Sequence, residues 1–360
     1  MLLPLLKAAA FAAVLGTSAP SEAKSLSSRQ KPEPWGFFTN NTIYQTTGRE
    51  SITYPRYAAL EDGTILATAS LSGQGGPGYF PIFESTDGGA SWEQVSNLTD
   101  TVNGWGLSAQ PALTELTEEM GGFPAGTILG SGNSWSNNGT RIDLVYDHQL
   151  VCYYSDQRDP LHGQKLAHQT SPDLRTWGPV VNDVTYDLYE ARPGMTVVAY
   201  LPDPVDQWIL VHERPIGNSS SHGVHYPVYY VMADSPLEFG QAVGRPIVVN
   251  NQTAPNASPY VVWSPAGGTP YGTIVVSDAD RRQVYTNRYG GDPDRWEEHG
   301  TPAGAVYSRA IQILEGYPDH LLIYGGETFD DMGLGLHTPF SATVVDLEEV
   351  LTMPVDGYDD

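Results

Sequence analysis

The residues with chemistry to offer are carboxylates, arginines and aromatic rings at the ends of apolar, strand-like runs. Glu213 closes the run that starts at Trp208. A carboxyl group at a strand end can donate or accept a proton; the plain alternative is a rim carboxylate paired with its neighbour Arg214. Asp156 and Asp159 follow the run Leu150–Tyr154 and flank Arg158, which makes an ion pair the default reading. Arg56, Arg192 and Arg309 each open a different strand-like segment. A guanidinium there can grip a ligand through parallel N–H bonds, keep a carboxylate ionised, or bridge segments of the fold. Tyr307 stands two residues before Arg309, a spacing that predicts one shared strand face. Trp105 and Trp135 sit in loops rich in Gly, Ser and Asn, where an indole either stacks on a ligand or packs against the protein. His222 and His225 have H-x-x-H spacing in a Ser/Gly-rich loop with no third ligand nearby, so no metal is expected. The single cysteine, Cys152, lies in an apolar run and reads as a buried thiol. No Gly-rich phosphate loop or cysteine pair points to a cofactor.

The segments that must hold these residues are strand–turn–strand units. They cover 60–69, 123–131, 145–154, 201–213, 269–278 and 317–327, each with Gly, Asp or Pro at the bend. Such units are hairpins, and their recurrence predicts an all-β propeller of six blades. Their outgoing strands begin near residues 64, 127, 150, 208, 273 and 321. Only the interval from 127 to 150 is too short for a four-stranded blade of about 40–65 residues. A second marker agrees. Ser85-Thr86-Asp87-Gly88-Gly89-Ala90-Ser91-Trp92 is an S-x-D-x-G-x-x-W Asp box, in which the Asp binds turn amides, the Gly supplies positive φ and the Trp packs inward. Its role is structural. Weaker cousins are Ser171-Pro172-Asp173 with Trp177, Asp234-Ser235-Pro236 with Phe239, and Asp292-Pro293-Asp294-Arg295 with Trp296. By blade spacing, roughly 35 residues are missing near 138–144. The expectation is therefore a sialidase-like six-bladed propeller with one blade incomplete, a half-blade that exposes an edge and lowers stability.

Residues 1–23 read as a signal peptide: Lys7, an apolar run from Ala8 to Leu15, then small residues around Ser21 and Ala23. The remaining 24–360 read as a single propeller domain. The apolar run is shorter than the ~20 residues that span a bilayer. Six N-x-S/T sequons, at Asn40, Asn97, Asn138, Asn218, Asn251 and Asn256, fit a secreted, extracellular glycoprotein. The net charge of −24 disfavours nucleic acid and anionic membranes as partners and favours a weakly charged ligand. The chain is expected to act as a monomer.

Cys152-Tyr-Tyr-Ser-Asp-Gln-Arg-Asp159, His162-Gly-Gln-Lys165 and Arg192-Pro-Gly-Met195, together with the Asp box, resemble glycoside hydrolase family 93, the fungal exo-arabinanases. That resemblance implies a six-bladed propeller whose axial cleft binds α-1,5-linked arabinan or arabino-oligosaccharides. It also implies exo release of arabinobiose with retention, a reaction that needs two carboxyl groups about 5–5.5 Å apart. Glu213 matches one family carboxylate, and Tyr307 matches a family tyrosine. The family's other glutamate lies in a W-E-P-F-L-like strand that has no counterpart here, because Asn138–Leu144 runs straight into Val145. The gap coincides with the short blade interval, and it implies impaired catalysis. Two other readings stay open: a sugar-binding propeller without catalysis, and a sialidase. The sialidase F/Y-R-I-P signature is absent, with Tyr54-Pro-Arg56-Tyr in its place.

Overall fold

The computed structural model describes residues 36–100, 104–134, 150–215, 226–250, 252–253, 255–279, 281–328, 330–331 and 334–355. The signal-peptide expectation, Trp135, His222, His225 and the 138–144 junction lie outside them. The described chain is almost entirely β. After β1 (Phe38–Tyr44) comes a sheet of β2 (Ser51–Ala59), β3 (Ile65–Ser72), β4 (Tyr79–Ser85) and β5 (Glu93–Thr99). A pair follows, β6 (Leu107–Glu115) and β7 (Ile128–Ser134), then a three-stranded sheet, β8 (Leu150–Asp156), β9 (Lys165–Ser171) and β10 (Val181–Val184). The next sheet holds β11 (Gly194–Leu201), β12 (Gln207–Glu213), β13 (Val228–Ala233) and β14 (Arg245–Pro246), with a small pair β15 (Val248–Val249) and β16 (Gln252–Thr253) beyond it. A further sheet is β17 (Tyr260–Ser264), β18 (Thr273–Ser277), β19 (Gln283–Asn287) and β20 (Trp296–Gly300). In the last, β21 (Ile311–Leu314), β22 (Tyr317–Gly325) and β23 (Phe340–Asp346) take β1 as their fourth strand, ahead of the short helix α1 (Leu347–Val350). The fold is a β-propeller closed by pairing its first strand with its last sheet.

The expected hairpins are the junctions of each inner strand with its second strand. β2 turns into β3, β6 into β7, β11 into β12, β17 into β18 and β21 into β22. The exception is β8, which among the described residues pairs only with β9 and is preceded by no inner strand. The four Asp-containing turns each join a third strand to a fourth, at β4–β5, β9–β10, β13–β14 and β19–β20. In the first, Ser91 N donates to Asp87 Oδ1 (2.9 Å), Gly89 N to Ser85 Oγ (2.9 Å) and Trp92 Nε1 to Gly89 O (2.9 Å). Gly88 and Gly89 take φ of 70° and 90°, which only glycine adopts without strain.

The core lies between adjacent sheets. Leu201, Ile209, Val211 and Tyr230 interlock with Val261, Ile274, Val276 and Tyr285, and Val275 and Val284 do the same with Ile311, Leu321 and Ile323. The β6–β7 pair meets the β8–β10 sheet through Leu116 and Leu129 against Leu174 and Trp177. Nearer the axis a cavity of about 440 Å³ separates them, lined by Gln110–Leu113, Tyr153–Ser155 and Met195–Tyr200, with Arg56, Tyr57 and Tyr260. The face of β11 toward it is only partly covered.

Each of the five described inner strands has, within its first four residues or just ahead of it, a non-glycine residue in the left-handed region: Tyr54 (φ 53°), Gln110 (54°), Met195 (56°), Ser258 (38°) and Ser308 (61°). In β2, β6 and β11 this coincides with a register break against the second strand. Such residues are uncommon and cost about 1–3 kcal/mol each. Five in equivalent places is a repeated device: a bulge re-aims side chains at the end of a strand.

Candidate active site

Antiparallel pairing sets the end of each second strand beside the start of its inner strand, as Ser72 lies opposite Ser51 and Glu213 opposite Gly194. One face of the ring therefore collects the bulges and the residues that end the second strands. A carboxylate stands at that position in four sheets: Asp156, Glu213, Asp278 and Glu327. The four environments differ, and the difference assigns their roles.

Glu213 crosses over Gly194, and its Oε2 accepts a hydrogen bond from Ser258 N at 2.7 Å, at the entrance to the next inner strand. A Cβ on Gly194 would stand 3.6 Å from Glu213 Oε1, an ordinary contact, and 3.1 Å from Gln164 Nε2, a tight one, so glycine lets the Gln164 amide lie close beside the glutamate. Burial pushes the Glu213 carboxyl up to about 7, against the opposing pull of the Ser258 amide. Among the described residues no second carboxylate contributes to that shift. A carboxyl group balanced near neutrality can deliver a proton and take one back.

Tyr307 adjoins this glutamate. Its phenol is driven far above its ordinary range by burial, then by Tyr54 and by the charge of Glu213. The Tyr54 and Tyr307 rings meet edge-on at 5.0 Å, and Tyr54 N donates to Tyr307 O at 3.0 Å. Gln164 closes the other side: its Nε2 donates to Pro193 O (2.7 Å), and its Oε1 accepts from Gln157 Nε2 (2.6 Å) and Arg192 Nη2 (3.1 Å). Arg192 is itself exposed, with donors left for a ligand. Trp105, 46% exposed, borders a separate pocket of about 220 Å³ on the same face, formed with Ser72–Gly76 and Gly78.

Other residues singled out from the sequence are engaged by the protein. Arg56 donates to Pro55 O (2.7 Å), Ser308 O (3.1 Å) and Ser308 Oγ (2.9 Å), with its guanidinium over the Tyr260 ring at 5.3 Å. It bridges two inner strands, although it also reaches the large cavity. Asp156 is buried, and Arg158 Nε donates to its Oδ1 at 2.8 Å. Burial opposes its ionisation, but the Arg158 bonds prevail and hold the carboxyl below the usual range. Arg309 requires a correction. It is fully buried, bonds Gln283 O and sits beside Asp278, so it serves a buried carboxylate and cannot meet a sugar in the cleft. Nor does it share a face with Tyr307, because Ser308 at φ 61° between them breaks strand alternation. Cys152 is a buried free thiol.

Sequence reasoning missed Gly194, Gln164, Ser258 and Tyr54. It also passed over Asp278 and Glu327, though each follows an apolar run as Glu213 does. Asp278 is buried, its carboxyl raised by burial, and accepts from Tyr285 Oη (3.2 Å) and Asn256 N (3.3 Å). Glu327 is buried and accepts from Ser51 Oγ. Both tie sheets together.

An all-β propeller that presents a proton-holding glutamate, a buried tyrosine and an exposed tryptophan around its axis has the architecture of a glycoside hydrolase. The chain is 34% identical to the GH93 α-L-arabinofuranosidase of Fusarium graminearum, solved with arabinobiose, over 88% of this chain and 99% of that one, with a TM-score of 0.77. It is 33% identical to the α-L-arabinanase of Penicillium chrysogenum, also complexed with arabinobiose, at the same coverage and a TM-score of 0.77. The NanB sialidase of Streptococcus pneumoniae shares the fold alone, at 9% identity over 89% of this chain and 71% of that one, with a TM-score of 0.51. No family model and no curated protein sequence matches. The chain belongs to glycoside hydrolase family 93.

Proposed function

We propose that this protein is an extracellular, monomeric arabinanase-type hydrolase that removes arabinobiose from the ends of α-1,5-linked arabinan with retention of configuration. One observation carries the reading: Glu213, raised to about 7, lies across Gly194 onto the Ser258 amide beside Tyr307. In the neutral form Glu213 protonates the glycosidic oxygen as the bond breaks; as the anion it takes a proton from the water that completes the turnover. Tyr307 supports charge near the anomeric carbon. Arg192 and Trp105 bind sugar hydroxyls and a ring face, while Arg56 and Asp156 shape the cleft wall from behind.

Retention requires a second carboxyl group about 5–5.5 Å from the first, to attack the anomeric carbon and form the covalent intermediate, and among the described residues none acts on Glu213. A chain that lost this nucleophile cannot form that intermediate, and its turnover would fall far below that of a complete pair. The same observation favours a second reading, a secreted arabinan-binding propeller that kept its cleft and lost its chemistry. The architecture behind both is a six-bladed ring, with β6–β7 the inner half of one blade and β8–β10 the outer part of the next. The Ser85–Trp92 turn is its Asp box, and Asn97, exposed on β5, is a glycosylation acceptor. Product analysis on debranched arabinan separates the readings. Arabinobiose released by the wild type and abolished in Glu213→Gln supports hydrolysis; saturable binding of arabino-oligosaccharides without product supports the binding propeller. Neither product nor binding defeats both.

A further inference from the structure

Two loops on the cleft face, residues 157–164 and 185–193, meet beside the Glu213 site. A Cβ on Gly163 would stand 2.1 Å from Tyr189 O and 3.3 Å from the Tyr189 ring, so the glycine lets the second loop lie directly on the first. His162 Nδ1 and Tyr186 O, 3.0 Å apart, and the turn in which Ala191 N donates to Leu188 O (3.0 Å) fix the same contact. Gly163 is followed by Gln164, whose amide lies against Gly194 and so against Glu213. The junction nevertheless carries large apolar side chains into solvent: Tyr189 is 58% exposed, Leu188 58% and Leu161 76%. Arg192, exposed, closes the same loop and donates to Gln164 Oε1 at 3.1 Å. An aromatic ring held outward on a braced loop, near the Glu213 site and on the same loop as an exposed guanidinium, suits the faces and hydroxyls of sugar rings.

We infer that Tyr189, flanked by Leu188 and Leu161, is a stacking platform for arabinosyl units of the polymer beyond the pair held in the cleft, and so sets preference for chains over short fragments. This rests on the arabinan reading of the Glu213 site. Its test is binding of debranched arabinan, followed by retardation in native gels, beside calorimetric titration with arabinobiose. Tyr189→Ala is expected to weaken polymer binding about three- to tenfold and to change arabinobiose affinity less than twofold; Tyr189→Phe, which keeps the ring, restores polymer binding. Polymer retardation unchanged in Tyr189→Ala overturns the inference, as does an equal loss for both ligands, the mark of a general disturbance. A polymer-selective loss in a protein that releases no arabinobiose upholds the platform and removes the hydrolase reading. A wild type that binds neither ligand removes both.

Discussion

The Glu213 carboxyl makes stability depend on pH in a way that a single amide substitution can expose. Burial moves it from 4.5 to about 7. At about 1.4 kcal/mol per tenfold in proton affinity, that difference corresponds to about 3 kcal/mol. The folded protein holds this proton more tightly than the unfolded chain does. The contribution is therefore fully present below pH 4.5 and is lost as pH rises through about 7. Glu213→Gln has no proton to lose, and its side-chain carbonyl can still accept from the Ser258 amide. Urea unfolding of both proteins at pH 4, 6 and 8 should show the stability difference shifting by about 3 kcal/mol in favour of the variant between the ends of the series. Comparing the two proteins cancels the other titrating groups. A difference constant to within about 1 kcal/mol across that range would refute the buried-acid account. In the active wild type, kcat/KM should fall along an alkaline limb near pH 7, where the proton donor is lost.

Gly194→Ala should reduce kcat several-fold by crowding the Gln164 amide beside the glutamate, while thermal unfolding shows stability within about 2 kcal/mol of wild type. Asp87→Ala should destabilise by about 2 kcal/mol through the loss of turn bonds to a charged acceptor, with kcat unchanged because the turn is on the outer strands. Arg309→Met should cost about 3 kcal/mol by leaving buried Asp278 with Arg281 alone to offset its charge; equal stability at neutral pH would mean that Asp278 is not held as an anion.

Local pattern carried what was legible. The second strands β3, β7, β12, β18 and β22 follow turn residues in continuous apolar runs, so their positions could be read from residues 60–69, 123–131, 201–213, 269–278 and 317–327. Asp87, Asp173, Ser235 and Asp292 marked the outer turns because short polar side chains bonding their own backbone are a local code. Glu213 was legible as a charge ending an apolar strand. The bulges were not: Tyr54, Gln110 and Met195 are left-handed because of their register against β3, β7 and β12, and no local residue type announces that. The same limit misled the reading of Arg309, whose burial depends on Asp278 in another sheet. Gly194 was visible as a glycine, but its purpose depends on Glu213 lying opposite.

The closing strand sets a clock. Asn40 N on β1 donates to Thr343 Oγ1 on β23 at 2.8 Å, between residues 303 positions apart. At roughly 5–20 residues per second, synthesis delivers β23 roughly 15–60 s after β1. For that interval β1 has no sheet to join, and its Ile43 has only the β2–β4 part of its core cluster to pack against. The other sheets can assemble in order as the chain emerges, but the ring becomes a ring only at the last step. A ribosome that stalls before residue 340 thus releases an open arc with both ends ready to pair with a neighbour.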